Sequence, residues 1–286
     1  MKLPKEKQAL LNDIADDLKA IGNIRALVLG GSYATGTATA GSDLDIGIYY
    51  SGTNPFDIGQ IRSIAQKYAQ DKPPTVTGFY EWGRWVNGGA WIETAAGKAD
   101  LLYKNIEQIT TTIEQAKNGI WENDFEQQPP YGFSSIIYLA ETQACIPLWD
   151  PEGVIEKLKS EVRQYPPKLK QSVIQQSLWS AEFTIWQAAN LAAQHDIYAT
   201  AGCLTRAVKN ITAALFGINE LYPMGDKRTI DSLEKAATTP NDLRARIAQI
   251  LCVNKDRPDE NVHRLKALWQ ETVQLAPGMY TPFYNL

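Results

Sequence analysis

The stretch LGGSYATGTATAGSDLDI, residues 29–46, decides the fold. It begins at the end of a short apolar run, Ile24 to Leu29, which reads as a buried strand. Gly30 and Gly31 end that run and permit a tight turn where a bulky residue would clash. Gly31 and Ser32 then stand where a helix can begin, so backbone N–H groups and the Ser32 hydroxyl are able to point at an anion such as a phosphate chain. Gly36 and Gly41 let the chain double back into DLDIGIYY, residues 43–50. Strand alternation there sets Asp43, Asp45 and Gly47 on one face and Leu44, Ile46 and Ile48 on the other, which goes to the core.

Two carboxylates on one strand face repel each other unless positive charge lies near them. A hard divalent cation removes that repulsion, and magnesium prefers a few carboxylates together with phosphate oxygens and water. A second metal could bridge the same carboxylates, giving a two-metal site. A third carboxylate from a neighbouring strand is then expected. Asp100, in KADLLYK, is the choice because an acidic residue is out of keeping with the apolar run around it, and Glu93 on the partner strand is the alternative. Asp100 could serve as metal ligand, as general base, or as both.

Outward from this stretch, residues 5–21 read as an amphipathic helix stopped by Gly22, and residues 56–70 as another. The Trp- and Gly-rich FYEWGRWVNGG leads into a β-hairpin, Ala90 to Thr94 and Ala99 to Tyr103, turning at residues 95–98. Just before the Asp100 strand, Glu81, Trp82, Arg84, Trp85 and Trp91 read either as packing or as the wall of an acceptor cleft. Residues 105–118 are helical in pattern and QQPPYG, residues 127–132, has linker composition. Helices are expected at 134–145, 151–163, 166–194, 198–216, 227–236, 240–250 and 259–275. Their apolar stripes, such as Val173, Leu178, Phe183, Trp186 and Leu191, read as core. The expected fold class is α+β: a catalytic domain with a mixed sheet flanked by helices over residues 1–125, then a helical bundle over 126–286.

The formal net charge of -4 and a pI near 5.4 argue against a partner gripped through many phosphates, so a nucleic acid is not the expected acceptor. With only 2 His in the chain, a His-based triad or His-rich zinc site is not expected. Cys145, Cys203 and Cys252 read as reduced, mostly buried thiols. No apolar run is long enough to cross a bilayer, and a cytoplasmic location is expected.

The spacing Gly31-Ser32, ten residues, then Asp43-x-Asp45 resembles the motif of the DNA polymerase β superfamily of nucleotidyltransferases. Within it the chain is similar to bacterial antibiotic nucleotidyltransferases of the aminoglycoside type and to the minimal nucleotidyltransferases. The resemblance implies that Asp43 and Asp45 bind metal and that Asp100 completes the triad. It also implies that Gly31, Ser32 and Ser42 bind the nucleotide. A basic residue often follows the Gly-Ser aromatic pair in relatives, whereas Thr35 stands here. Phosphate charge is then expected to be met from the helical domain, with Lys227 as cation and Tyr222 as aromatic partner in GINELYPMGDKR, residues 217–228. Arg257 to His263, RPDENVH, bears a faint likeness to the ribonuclease motif of helical toxin domains, but Pro258 and the absence of a supporting polar pattern set it aside.

The leading expectation is magnesium-dependent transfer of a nucleoside monophosphate from ATP or another nucleoside triphosphate to a hydroxyl of a small acceptor, with antibiotic resistance as the context. Nucleotidylation of a protein, as in antitoxin-type minimal nucleotidyltransferases, and non-catalytic nucleotide binding are the alternatives. No membrane partner is expected, and a homodimer is one expected assembly.

Overall fold

The computed structural model describes residues 3–284 and 286. In chain order, α1 (Lys5–Lys19) leads to β1 (Ile24–Leu29), the one-turn α2 (Gly31–Ala34), β2 (Leu44–Tyr50), α3 (Ile58–Tyr68), β3 (Thr75–Val76), β4 (Gly89–Thr94), β5 (Gly97–Asn105) and α4 (Ile106–Lys117). There follow β6 (Asn123–Asp124), β7 (Phe133–Ser134), α5 (Ile137–Ala144), β8 (Ile146–Trp149), α6 (Val154–Glu161), α7 (Pro167–Ala193), α8 (Ile197–Ile218), α9 (Thr229–Leu233), α10 (Leu243–Leu251) and α11 (Pro258–Gln274). These form two compact units, Met1–Glu114 with Tyr138–Gln164, and Gln115–Ile137 with Tyr165–Leu286. The sequence reading cuts the chain once, at 125/126, but the units are interleaved. The cause is β8, a stretch the sequence pattern leaves unassigned, which pairs antiparallel with β1 through Leu29 and Ile146 and so holds residues 138–164 to the first unit.

The first unit is built on a six-stranded sheet in the order β3-β4-β5-β2-β1-β8. The β2–β5 pair is parallel and the others are antiparallel, giving the mixed sheet of an α+β fold. Period-2 alternation sorts its two faces. Leu27, Leu29, Leu44, Ile46, Ile48, Ile92, Leu101 and Tyr103 point to one side and are buried with Leu11, Ile14 and Leu18 of α1 and Ile61 and Ala65 of α3. α1 and α3 are tied on that side by Asp17, which accepts from Lys67 Nζ at 2.6 Å and Tyr68 OH at 2.7 Å. The opposite face carries Asp45, Gly47 and Tyr49 on β2 and Asp100, Leu102 and Lys104 on β5. Its far end is covered by α5: Lys104 pairs with Glu141 and lies over the Tyr138 ring. Burial among α5 groups, chiefly by loss of water and then by the Cys145 side chain, holds the Tyr49 phenol well above its usual range.

The second unit is helical, apart from the β6–β7 pair. Ile174, Leu178, Ala181, Ile185 and Ala188 of α7 pack on Leu204, Val208, Ile211 and Leu215 of α8, with Leu265 and Trp269 of α11 closing the core. Trp269 Nε1 donates to the Leu178 carbonyl at 3.1 Å. The expected core stripe of α7 is corrected here. Val173 and Leu178 are buried, but Trp186 is 42% exposed and Phe183 and Leu191 are only half-buried. The buried positions step by three and four from Ile174, whereas Trp179, Phe183 and Trp186 form a second face that stacks ring on ring. The cysteines are free, with Cys145 buried, Cys203 half-buried and Cys252 exposed against expectation at the end of α10. Among the described residues, no helix is long and apolar enough to cross a membrane.

Candidate active site

Sheet register brings the acidic motif and the Gly-Ser turn together. Asp45 on β2 is paired in register with Asp100 on β5, and Asp100 faces Trp91 on β4. Residues side by side across a ladder share a face, so Asp45, Asp100 and Trp91 form one row on the face away from α1 and α3. The row reaches the β1 side through Gly30, whose N–H donates to the Asp45 carbonyl at 2.8 Å. Glu93 is exposed and pairs with Lys98 instead, so register makes Asp100 the neighbour of Asp45. Asp43 precedes β2 by one residue and is half-buried; among the described residues its carboxylate makes no hydrogen bond or ion pair.

The turn abuts this row. Gly31 has φ 57, and a Cβ there would overlap the Asp45 carboxyl. Glycine is thus required twice over, for a left-handed backbone and for the space the carboxyl fills. The turn is closed by Ala34 N–H to the Gly30 carbonyl at 3.2 Å and Thr37 N–H to the Ser32 carbonyl at 2.9 Å. Ser32 is half-buried, and its hydroxyl has no partner among the described residues. Thr35, standing where a basic residue was expected, turns its hydroxyl back to the Gly31 carbonyl at 3.2 Å. The Ser42 hydroxyl accepts from Thr39 N–H at 2.8 Å and lies 3.3 Å from the Thr39 hydroxyl, and so closes the end of the loop.

Lys7 of α1 was not singled out in the sequence. It is 7% exposed, donates from Nζ to the Ser42 carbonyl, and lies 5.5 Å from the centre of the Tyr33 ring. One buried ammonium thus holds the start of the glycine loop, at Tyr33, and its end, at Ser42, one residue before Asp43. A signal for it existed: Lys7 shares the buried helix stripe with Leu11, Ile14 and Leu18, an unusual place for a lysine.

The aromatic cluster divides. Trp82 stacks on Trp91 with ring centres 4.1 Å apart, beside Asp100 in the row. Trp85 is buried and meets Tyr138 edge-on at 5.5 Å, with Arg84 over its ring, which is packing within the first unit. Glu81 accepts from Gly78 N–H at 2.6 Å and shapes the loop.

Tyr222 and Lys227 belong to the second unit. The Tyr222 ring is buried there, stacked on Tyr165 at 4.8 Å, and burial pushes its hydroxyl up to about 12. Lys227 is exposed in the segment between α8 and α9. The RPDENVH segment is the start of α11: Arg257 pairs with Glu260 at 2.9 Å and His263 Nδ1 lies 2.9 Å from the Asp259 carbonyl. Among the described residues, no three His, Cys, Asp or Glu side chains converge closely enough to hold a metal ion. Asp43, Asp45 and Asp100 are therefore neighbours in the fold without forming a closed cage, as like charges would.

Residues 11–87 match the family described as nucleotidyltransferase domain, and residues 137–228 match a domain of unknown function, DUF4037. No curated protein matches the chain. Among solved structures, the chain is similar to a nucleotidyltransferase-like protein from Exiguobacterium sibiricum 255-15, with 8% identity and a TM-score of 0.47, over 96% of this chain and 78% of that one. The N-terminal part of the chain is a nucleotidyltransferase domain of the DNA polymerase β superfamily, followed by a helical region.

Proposed function

We propose that this nucleotidyltransferase moves a nucleoside monophosphate from a nucleoside triphosphate, ATP being the first to test, onto a hydroxyl of a small cationic acceptor of the aminoglycoside type. The observation that supports this reading is the in-register pair Asp45 and Asp100, set against the Gly31 turn with Asp43 two residues away. Asp43, Asp45 and Asp100 are the carboxylates that would hold a magnesium ion, drawn in around it with the phosphate oxygens once its charge offsets their repulsion. Bound there, the cation supplies compensation for phosphate charge and a fixed orientation of the α-phosphate.

The chain's own groups do the rest. Ser32 and the N–H groups of the turn hold the phosphate tail, and Lys7 keeps the loop that carries Asp43 in place. Asp100 accepts the proton of the acceptor hydroxyl as that oxygen bonds to the α-phosphorus. The bond from this phosphorus to the bridging oxygen breaks, and pyrophosphate leaves with its electron pair. A cationic acceptor suits the carboxylate row, and the Trp82–Trp91 stack beside Asp100 offers a flat face to a charged ring.

The test is pyrophosphate release from labelled ATP with magnesium, over a panel of aminoglycosides and of candidate protein acceptors. Label on an aminoglycoside supports the proposal, and label on a protein alone selects protein nucleotidylation. Undiminished turnover in the Asp43→Asn, Asp45→Asn double variant would sink the mechanism.

A further inference from the structure

The second unit contains a groove that the transfer chemistry does not use. It is a cavity of about 930 Å³ between α7 and α8, roofed by the segment around β6 and β7. Helix positions along it are small: Ser177 and Ser180 on α7, and the half-buried Ala201 and exposed Gly202 on α8. A Cβ at Gly202 would meet nothing within 4 Å, so the space there is open.

The charges on its wall have one sign. Arg206 and Lys209, three residues apart on α8, both line it, and no Asp or Glu does. Among the described residues neither side chain makes a hydrogen bond or ion pair, and the Lys209 ammonium lies 5.9 Å from the centre of the Phe125 ring. Burial lowers the Lys209 ammonium from its usual range, Asp226 of the adjoining cavity opposes this, and Arg206 lowers it further. Two further polar groups on the wall are buried without partners, the indole N–H of Trp121 and the hydroxyl of Ser177, which is 1% exposed. Buried donors such as these two are ordinarily satisfied, and with the half-buried Lys209 and the exposed Arg206 the wall offers four donor groups to an acceptor of hydrogen bonds. Flat apolar surface surrounds them: Trp121, Phe125, Tyr131 and Trp179 all line the groove.

We infer that this groove binds a small planar aromatic anion, its acidic group held by Arg206, Lys209 and the Trp121 N–H and its ring system stacked among the aromatic side chains. Two cations with no carboxylate on the wall select negative charge, and the rings select a flat body. The cavity volume is that of a small-molecule site. The site is independent of the nucleotidyl-transfer reading, because none of its residues belongs to the first unit.

The probe is the fluorescent aromatic anion 8-anilinonaphthalene-1-sulfonate, titrated into the full chain. One saturable site is expected, with affinity weakened about tenfold or more in the Arg206→Gln, Lys209→Met double variant, as loss of charge-assisted hydrogen bonds implies. Gly202→Phe should abolish binding by filling the groove while circular dichroism and Tm stay native-like, and the Asp43→Asn, Asp45→Asn variant should bind as the native chain does. Displacement by 1-naphthyl phosphate against 2-naphthoate distinguishes a phosphate-bearing ligand from a carboxylate-bearing one. Equal affinity for the neutral analogue N-phenyl-1-naphthylamine, or unchanged sulfonate binding in Gly202→Phe, overturns the proposal. Should the double variant fail to fold, Gly202→Phe and the neutral analogue decide the matter alone.

Discussion

In the first unit, β2 and β5 set Asp45 beside Asp100 at the turn around Gly31, whereas in the second unit α8 sets Arg206 and Lys209 along a groove whose wall carries no carboxylate. The two regions differ in construction as well as in sign. The acidic row is made by ladder register, with its positions fixed by backbone hydrogen bonds and by contact between Gly31 and the Asp45 carboxyl. The groove is made by volume, from small residues at helix positions along it. A site made by register is damaged by displacement, and a site made by volume is damaged by filling. Substitutions should therefore act on one region and leave the other untouched.

The largest separation is expected from Asp100→Asn. Loss of the proposed base lowers the single-turnover transfer rate at saturating nucleotide by about 10²–10⁴-fold. Sulfonate binding in the groove stays at its native value in the same preparation. A variant that keeps more than a tenth of the native rate places the base elsewhere.

Gly31→Ala comes next. The added methyl group must take the space of the Asp45 carboxyl on a backbone with φ 57. A displacement of about 1 Å at such a site reduces turnover on the order of 10²-fold, and strain of about 1–3 kcal/mol lowers the Tm. Kinetics and thermal unfolding measured together check both. Native turnover with native Tm would show that the turn and the carboxyl are not in contact.

The same difference in construction explains what could be read from the sequence. Register sites are local: Gly31, Ser32, Asp43 and Asp45 lie within one short stretch, and strand alternation assigns their faces before any folding is known. Even Asp100, far along the chain, declares itself as a carboxylate in an apolar run. Strands β1, β2, β4 and β5 and most helices follow from periodicity for that reason. Volume sites are not local, because Trp121, Ser177, Gly202 and Lys209 share nothing in sequence and meet only when two helices and a loop pack. β8 is not legible in the sequence on related grounds. Ile146 to Trp149 is too short to show a period, and only its partner β1 makes it a strand. Trp186 was misplaced because an aromatic residue at helical spacing reads as core, although here it sits on a second, stacked and exposed face.

A smaller effect is expected at Lys7, which joins helix and loop without belonging to the row. Lys7→Met keeps the apolar stem but leaves the Ser42 carbonyl without its buried cation. Loss of a hydrogen bond to a charged group lowers stability by about 1–3 kcal/mol. The loosened loop should raise KM for the nucleotide more than it lowers kcat, since Lys7 places Asp43 through Ser42. Denaturant unfolding with steady-state kinetics measures both, and a fall confined to kcat would assign Lys7 a direct part in the chemistry.

The smallest change tests the groove from its own side. Gly202 lies within α8, where glycine is the least favourable residue after proline, and a Cβ there has open space around it. Gly202→Ala should stabilise the chain by about 0.5–1 kcal/mol through reduced freedom of the unfolded state, visible as a rise of a few degrees or less in Tm. One methyl group leaves most of the groove open, so sulfonate binding and nucleotidyl transfer both stay native, in contrast to the block expected from Gly202→Phe. The pair of substitutions at one position thereby separates helix propensity from cavity volume. If the alanine already destabilises, the helices leave no free space at that point, and the second site cannot be one built by volume.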